Sequence, residues 1–468
     1  MVFSSSFFIF FFLPLCFIFY FNPFIKSIKY KNIVLLVFSI LFYCWGSLKY
    51  LWVLLLSIII NYIFGILIEK FKKRFLVFID ILFNVGLLFI FKLLGFYETF
   101  SDFSKILPFV GPLGISFFTF QEISYIVDVY RNIVPAQKNI IKYSLYVSFF
   151  PQLIAGPIIR YDDIYKEIND RKVSLSSISD GFHEFIIGLF KKCAIADIIG
   201  NCALIMFTNG SNSLCASWLC ALSFVLQLYY DFSGYSNMAI GLGKIFGFNI
   251  KKNFDYPYAS SSVNEFWKKW NISLGNWFND YILYPICNSK IYKFLLKKMS
   301  FFFNKKVCFK IMNYIALFIC WLLVGLWHGI GINYVYLGIF YFLFLTIEKQ
   351  FKFPKKKNLF SHIYTLFVVI IGTVLFFSYN DPKFEFLKSM FINKKFIDNR
   401  VYLYLQNYWL YYVIGIIFSF PILKNVKIKL KKIKFYSLID SIFIFIIFLI
   451  GIYYMIINSY NPFIYFNF

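Results

Sequence analysis

Apolar runs of about 20 residues follow one another along the whole of this chain. A helix of that length, at 1.5 Å per residue, crosses a hydrocarbon core of about 30 Å. No other feature restricts the fold as strongly. The runs read as spans at Phe7–Phe21, Ile33–Trp45, Leu51–Ile68, Leu76–Phe96, Leu113–Val129, Leu214–Tyr230, Tyr314–Trp327, Tyr334–Ile347, Ile363–Phe377, Tyr408–Phe420 and Ile442–Ile457. A shorter run, "YSLYVSFFPQLIAGPII", and a long mixed segment, Ser179–Phe207, lie between the fifth and sixth. The chain is 60% hydrophobic and 15% charged, which argues against a water-soluble fold, where about 45–50% and 25% are usual. No domain-sized polar region interrupts the runs, and no internal repeat is visible. The expectation is one all-α integral membrane domain over residues 1–468.

A formal charge of +25 would point to nucleic acid if the domain were soluble. Here the basic residues fall in short clusters between apolar runs: Lys26, Lys29 and Lys31; Lys70, Lys72, Lys73 and Arg74; Lys349, Lys352, Lys355, Lys356 and Lys357. This is the pattern of cytoplasmic loops against anionic lipid, and it speaks for membrane lipids and against a nucleic-acid partner. The first four loops alternate rich and poor, with only Lys49 in the second and Lys105 in the fourth. That places the N-terminus outside and the first and third loops in the cytoplasm. Arg160, Lys166, Arg171 and Lys172 break the alternation, directly after "FFPQLIAGPIIR". With Pro151, Gly156 and Pro157, this segment is short for a span. It reads either as a re-entrant segment, using the cytoplasmic face twice, or as a kinked spanning helix.

The N-terminal run has no basic flank and no small-residue cleavage site, so it reads as a retained membrane helix, bent near Pro14. The nine cysteines are scattered, with no C-x-x-C spacing. They read as small hydrophobes, offering no disulfide framework and no metal site.

Ionisable groups at membrane depth cost about 2.5–3.5 kcal/mol each at a helix centre and are functional candidates by default. Four stretches carry them or other special residues. "GPLGISFFTFQEISYIVDVYR" holds Gln121, Glu122, Ser124 and Asp128, and "FFPQLIAGPIIR" is the second. The third opens with Asp231, Ser233, Tyr235 and Asn237 in "YYDFSGYSN" and runs on to an amphipathic stretch, Ser262–Tyr284. There Phe266, Trp270, Leu274, Trp277 and Tyr281 recur at helical spacing, and Ser262 with Glu265 forms a capping box that starts the helix. That helix reads as one lying flat on the bilayer, or as the floor of a cavity presenting Trp267, Trp270 and Asn271. The fourth is "VGLWHGIG", which puts His328 beside Trp327 inside an apolar run.

An imidazole in an apolar site is held neutral by desolvation, leaving one ring nitrogen to accept a proton. That suits a general base acting on a hydroxyl nucleophile. Gly325, Gly329 and Gly331 allow close backbone approach around it. On the residue alone, a core histidine satisfied by a neighbouring carbonyl is the favoured reading. His183 and His362 read as interface residues. A dinucleotide fingerprint, a phosphate-binding G-x-x-x-x-G-K loop, a G-x-S-x-G elbow and an H-E-x-x-H motif are all absent.

Taken together, "PLGISFFTFQEISYIVDVYR", "YVSFFPQLIAGPIIRYDDI", "YYDFSGYSNMAIGLGKIFGFNI", "NFDYPYASSSVNEFWKKWNISLGNWFNDYILYPI", "GLWHG" and the terminal "NPFIYFNF" resemble the membrane-bound O-acyltransferase family, in particular its bacterial alginate O-acetyltransferase-like branch. The resemblance covers nearly the whole chain, in order. It implies about eleven membrane-crossing helices around a funnel, with re-entrant and horizontal amphipathic helices on the cytoplasmic side. The family's essential histidine falls on His328. A second position, often the His of "RRWH", falls on Asn271 in "KKWN", which can orient a substrate but cannot act as a base. The common "PLGG" is replaced by "PICNSK".

The resemblance implies a multi-pass enzyme of a bacterial inner or plasma membrane. It would take an acyl group, in the first instance acetyl, from a cytoplasmic thioester such as acetyl-CoA or an acyl-carrier protein. A periplasmic or extracellular partner protein would carry the group to a cell-surface polysaccharide. No resident cofactor is implied. His328 and Asn271 would be the catalytic pair, with Trp267, Trp270, Asp231, Ser233, Tyr235, Asn237 and Trp327 against the substrate. Peptidoglycan O-acetylation and D-alanyl transfer to teichoic acid are alternatives within the family. A flippase for a lipid-linked sugar, using the same polar groups without chemistry, is the alternative outside it.

Overall fold

A computed structural model describes residues 2–100, 111–154, 156–208, 210, 213–377, 384–432, 435–458 and 463. Lys105 and the terminal "NPFIYFNF", apart from Phe463, lie outside them. Among the described residues, all regular structure is helical. The helices that matter for function are α1 (Phe8–Tyr20), α2 (Ile28–Ser47), α3 (Leu51–Phe71), α4 (Arg74–Phe100), α5 (Ile115–Tyr130), α6 (Ile140–Ser148), α7 (Leu175–Phe190), α8 (Leu214–Ile245), α9 (Val263–Lys269), α10 (Ile272–Phe278), α11 (Lys305–His328), α12 (Ile332–Phe351), α13 (Leu359–Phe377), α14 (Asn399–Phe418) and α15 (Tyr436–Ile457). Seven helical stretches among the described residues are long and apolar enough to cross a membrane: Ile28–Phe71, Arg74–Gly95, α8, α11, α12, α13 and α15. The chain is therefore an all-helical, multi-pass membrane protein.

Several expected spans differ from the observed helices for physical reasons. Helix α1 covers only Phe8–Tyr20, too short to cross the hydrocarbon core alone. Its first five residues form a wide π-type turn that accommodates Pro14, which has no N–H to give the preceding turn. Helix α5 has 16 residues, and nearly all of them are buried, polar and apolar alike. It is a core helix wrapped by others, which is why its apolar residues follow no one-sided stripe. The "YSLYVSFFPQLIAGPII" segment is not one bent helix. Helix α6 ends at Ser148, Phe149 turns out of the helix (φ −52°, ψ 109°), a four-residue helix covers Phe150–Leu153, and residues 156–160 are irregular. The break removes the continuous helix that a kinked span requires.

The described residues gather into two compact units: Met1–Ala194, Asp231–Lys252 and Ser441–Asn467 in the first, and Ile195–Tyr230 with Asn253–Asp440 in the second. In the first unit, α7 and the Asp231–Ile245 half of α8 touch through glycines seven residues apart. A Cβ on Gly188 would stand 2.5 Å from the Gly234 carbonyl oxygen, and one on Gly241 would stand 2.5 Å from that of Gly181. Small residues at this spacing let membrane helices meet backbone to backbone. Buried Arg171 staples the same unit, donating to Asn32 Oδ1 (2.6 Å), Tyr20 Oη (3.0 Å) and the Phe246 carbonyl (3.0 Å).

In the second unit, α11 and α12 form a tight hairpin. A Cβ on Gly325 would lie 2.2 Å from the Tyr334 carbonyl oxygen, and one on Gly338 would lie 2.5 Å from that of Trp321. The hairpin is therefore closed by glycine on both sides, and it fixes where His328, the last residue of α11, ends up.

Candidate active site

The amphipathic stretch Ser262–Tyr284 is two helices rather than one. Ser262 caps α9 by accepting from the Glu265 N–H (3.0 Å). Glu265 does not complete the box on Ser262. Its carboxylate turns to the N–H and hydroxyl of Ser261 and to Lys269. Burial raises its pKa, but those Ser261 and Lys269 contacts outweigh it and hold the group down at about 2. The helix stops at Lys269. Trp270 is extended, and Asn271 adopts the left-handed conformation (φ 44°, ψ 55°) before α10 begins. Asparagine is one of the few L-residues that adopt it readily.

Asn253 clamps this corner. Its side chain donates to Asn271 Oδ1 (3.1 Å) and accepts from Ser273 N–H and Oγ–H (3.0 and 2.9 Å), while its carbonyl takes the Ile272 N–H (3.0 Å). A second clamp comes from α12. Buried Glu348 accepts from the N–H groups of Val263 (2.6 Å) and Asn264 (2.9 Å), one with each oxygen. A carboxylate there satisfies two orphan donors and complements the positive end of α9. Neither Asn253 nor Glu348 has a local sequence signal, because each acts on a segment distant in the chain.

A cavity of about 600 Å³ lies against these elements. Trp267 and Asn271 are in its wall, with Leu274, Phe278, Leu317, Val324 and Leu345 supplying apolar surface. Lys268, Lys349 and Lys352 bring positive charge to it, and Glu348 is at its edge. On α11 the lining residues are Leu317, Cys320, Trp321 and Val324. His328 is four residues beyond Val324 and eleven beyond Leu317, so it falls on the same helix face, about 6 Å past the last lining residue. Lys349 and Lys352 belong to the C-terminal end of α12, which runs back alongside the start of α11, as the Tyr314–Gln350 hydrogen bond (3.3 Å) shows. Positive charge is thus gathered toward one end of the α11 face and His328 stands at the other.

His328 is 7% exposed. Its ring meets Trp327 (4.6 Å between centroids), the edge of Phe376 (5.1 Å) and the face of Tyr334 (6.3 Å). A titratable ring among three aromatics, at the end of a cavity-lining face, can receive a proton from a hydroxyl delivered along that face.

The other sequence candidates are placed as follows. Trp267 stands edge-on to Trp321 (4.8 Å) and Tyr341 (4.7 Å), and its buried indole N–H has no hydrogen-bond partner among the described residues. Trp270 turns away into an aromatic cluster with Phe254, Tyr258 and Phe266 and is not in the cavity wall. Trp327 packs on His328 and is likewise outside the wall. Asp231, Ser233, Tyr235 and Asn237 belong to the first unit. Asp231 is ion-paired with buried Lys192 (2.6 Å). Asn237 bridges Lys191 Nζ (2.8 Å) and Glu184 Oε2 (2.6 Å). Tyr235 stacks on Phe3 (4.6 Å), and the buried hydroxyls of Ser233 and Tyr235 find no partner among the described residues. His362 is held at the Ser260 carbonyl through Nδ1 (3.0 Å), away from any catalytic constellation.

Comparison with known proteins bears on most of the chain. Residues 134–380, which include every element of the cavity, match the pattern of the MBOAT, or membrane-bound O-acyltransferase, family. The chain is 35% identical over 398 residues to the probable alginate O-acetylase AlgI of Pseudomonas syringae pv. tomato, covering 81% of this chain and 73% of that protein. It is 30% identical over 396 residues to the peptidoglycan O-acetyltransferase of Helicobacter pylori (76% and 72%). It is 28% identical over 271 residues to the teichoic acid D-alanyltransferase of Bacillus subtilis (56% and 66%). A helical membrane fold and these extended likenesses converge: the chain belongs to the membrane-bound O-acyltransferase family and is an O-acyltransferase.

Proposed function

We propose that this enzyme moves an acetyl group from a cytoplasmic thioester to a hydroxyl, for O-acetylation of a cell-surface polysaccharide. The observation that carries the reading is the cavity with lysines toward one end of its α11 face and His328 one turn past the other. Lys268, Lys349 and Lys352 would take the phosphates of the donor, acetyl-CoA or an acyl-carrier arm, and the apolar wall would hold its thioester end. His328 accepts the proton of the attacking hydroxyl as its oxygen bonds to the acyl carbon. The carbon–sulfur bond then breaks, and the proton passes from the imidazole to the departing thiolate. Asn271 orients the acyl group, and Trp267 closes over it. Trp270 and Trp327 hold those side chains in place. Ser233 and Tyr235 keep hydroxyls to offer a substrate. Asp231 and Asn237 support the first unit through their partners.

The reading includes a bacterial inner or plasma membrane, an external N-terminus, the re-entrant segment after α6 and about eleven crossings around a funnel. It also includes an external partner protein that takes the acyl group onward. Two of the three relatives named above carry acetyl-transfer names, which favours acetyl over D-alanyl.

Purified wild-type protein in lipid nanodiscs should consume acetyl thioester in the presence of a hydroxyl acceptor, and His328→Ala should lose about 10²–10⁴-fold of that rate at unchanged yield and melting temperature. Full activity in the His328→Ala protein removes His328 from the mechanism. Binding of a lipid-linked sugar with no thioester consumption would support a flippase instead.

A further inference from the structure

Four helices of the first unit bring buried polar side chains together, all but Tyr143 ahead of the residues matched by the family pattern. Ser57 and Asn61 are one turn apart on α3, Asp80 and Asn84 one turn apart on α4, Thr119 and Glu122 three residues apart on α5, and Tyr143 is on α6. All seven have zero exposure. Ser57 donates to Glu122 Oε2 (2.5 Å). Asn61 and Asn84 exchange hydrogen bonds (3.2 and 2.9 Å), and Asn84 also donates to Asp80 Oδ2 (3.0 Å). Each carboxyl thus has one oxygen tied into the network. The other oxygens, Glu122 Oε1 and Asp80 Oδ1, are buried with no partner among the described residues, as are Thr119 Oγ1 and the Tyr143 hydroxyl.

The titratable groups near Glu122 and Tyr143 are one another, Asp80, Tyr125 and Tyr146, with no lysine, arginine or histidine among them in the described residues. Tyr125 in turn feels Tyr62, Glu69 and Tyr161. Two carboxyls with no basic partner inside helices of a membrane protein cannot both remain ionised and uncompensated. What is left over is oxygen, chiefly acceptor lone pairs, from three helices. Among the described residues no group of three or more His, Cys, Asp or Glu is available for a multivalent metal.

We infer that Glu122 and Asp80, with Thr119 and Tyr143, form a binding site for a monovalent cation, a proton or Na⁺, that ties α3, α4, α5 and α6 together. The site is separate from the His328 cavity and does not rest on the acyl-transfer reading. Bound cation supplies the charge that the helices lack, so occupancy stabilises the first unit and makes its stability depend on cation activity.

The test uses the full-length protein in nanodiscs. Melting temperature is measured from neutral to alkaline pH in NaCl and in choline chloride at equal ionic strength, for wild type, Glu122→Gln and Asp80→Asn. A sodium site gives a wild-type melting temperature several degrees higher in NaCl at alkaline pH. A proton site gives no sodium effect but a loss of several degrees as pH rises, because a carboxyl that keeps its proton on folding stabilises the folded state only below its folded pKa. Either dependence should shrink in Glu122→Gln and in Asp80→Asn. A wild-type protein indifferent to both, or variants that keep the full dependence, overturns the site. Should a variant fail to fold, infrared spectra of the wild type decide alone. A protonated carboxyl stretch at neutral pH, or carboxylate bands that shift on adding Na⁺, supports the site. Carboxylate bands that respond to neither overturn it.

Discussion

Two sets of buried polar side chains, one from each unit, are treated in different ways. In the first, Asp231 is matched by Lys192, and Asn237 is matched by Lys191 and Glu184. In the second, Trp267 and Asn271 stand in the wall of a cavity, and His328 continues the face of a helix that lines it. Both sets look alike in sequence, as polar or titratable residues at membrane depth. The difference teaches that depth and residue type mark a polar group as costly, while its partners decide whether that cost is met by the protein or left for a ligand.

Lys192 offers the strongest way to break this comparison. Lys192→Met removes the ammonium paired with buried Asp231 and should cost about 3–5 kcal/mol, read as a large fall in melting temperature, whereas Lys192→Met with Asp231→Leu should recover most of it. A mild single variant would mean that Asp231 has water or another group to turn to.

Glu348 tests the second unit. Glu348→Gln keeps the shape but loses the charge over the start of α9, and should cost about 1–2 kcal/mol of local stability. If Glu348 only positions Trp267 and Asn271, kcat falls and the KM for the donor changes little. A matching rise in KM would make it a donor-binding group.

Asn271 separates backbone from side-chain function. Asn271→Gly suits the left-handed backbone, and Asn271→Ala strains it by about 1 kcal/mol, so Ala should melt lower than Gly. If the amide orients the acyl group, both should lose transfer rate to a similar extent despite that gap.

Lys349→Gln together with Lys352→Gln should give the smallest effect. We expect a several-fold rise in KM for the donor that fades with added salt, because partly exposed charges are screened over about 8–10 Å. No change at low salt would remove phosphate binding from these lysines.

Much of the fold was legible from composition and period. Helices α11, α12 and α13 fall where the apolar runs put them, because long apolar runs admit little else in lipid, while α8 starts as expected and runs 15 residues past Tyr230. Ser262 was readable as a cap because the cap bond is local. The expected second half of that box was wrong, since Glu265 had nearer donors in Ser261 and Lys269. The single amphipathic helix was also wrong. Its aromatic spacing runs unbroken through Trp270, while the chain turns a corner at Asn271 that periodicity cannot register.

The sequence by itself determined that this chain lives in a membrane as helices and, through its motifs, the family. Only the tertiary structure decided that Asp231 is paired, that Trp270 packs into an aromatic core, and that Glu348 and Asn253 hold the corner at the cavity. The physical reason is separation. A helix is set by neighbours three and four residues away, whereas Glu348 reaches a backbone 85 residues earlier in the chain, and no local pattern records that bond.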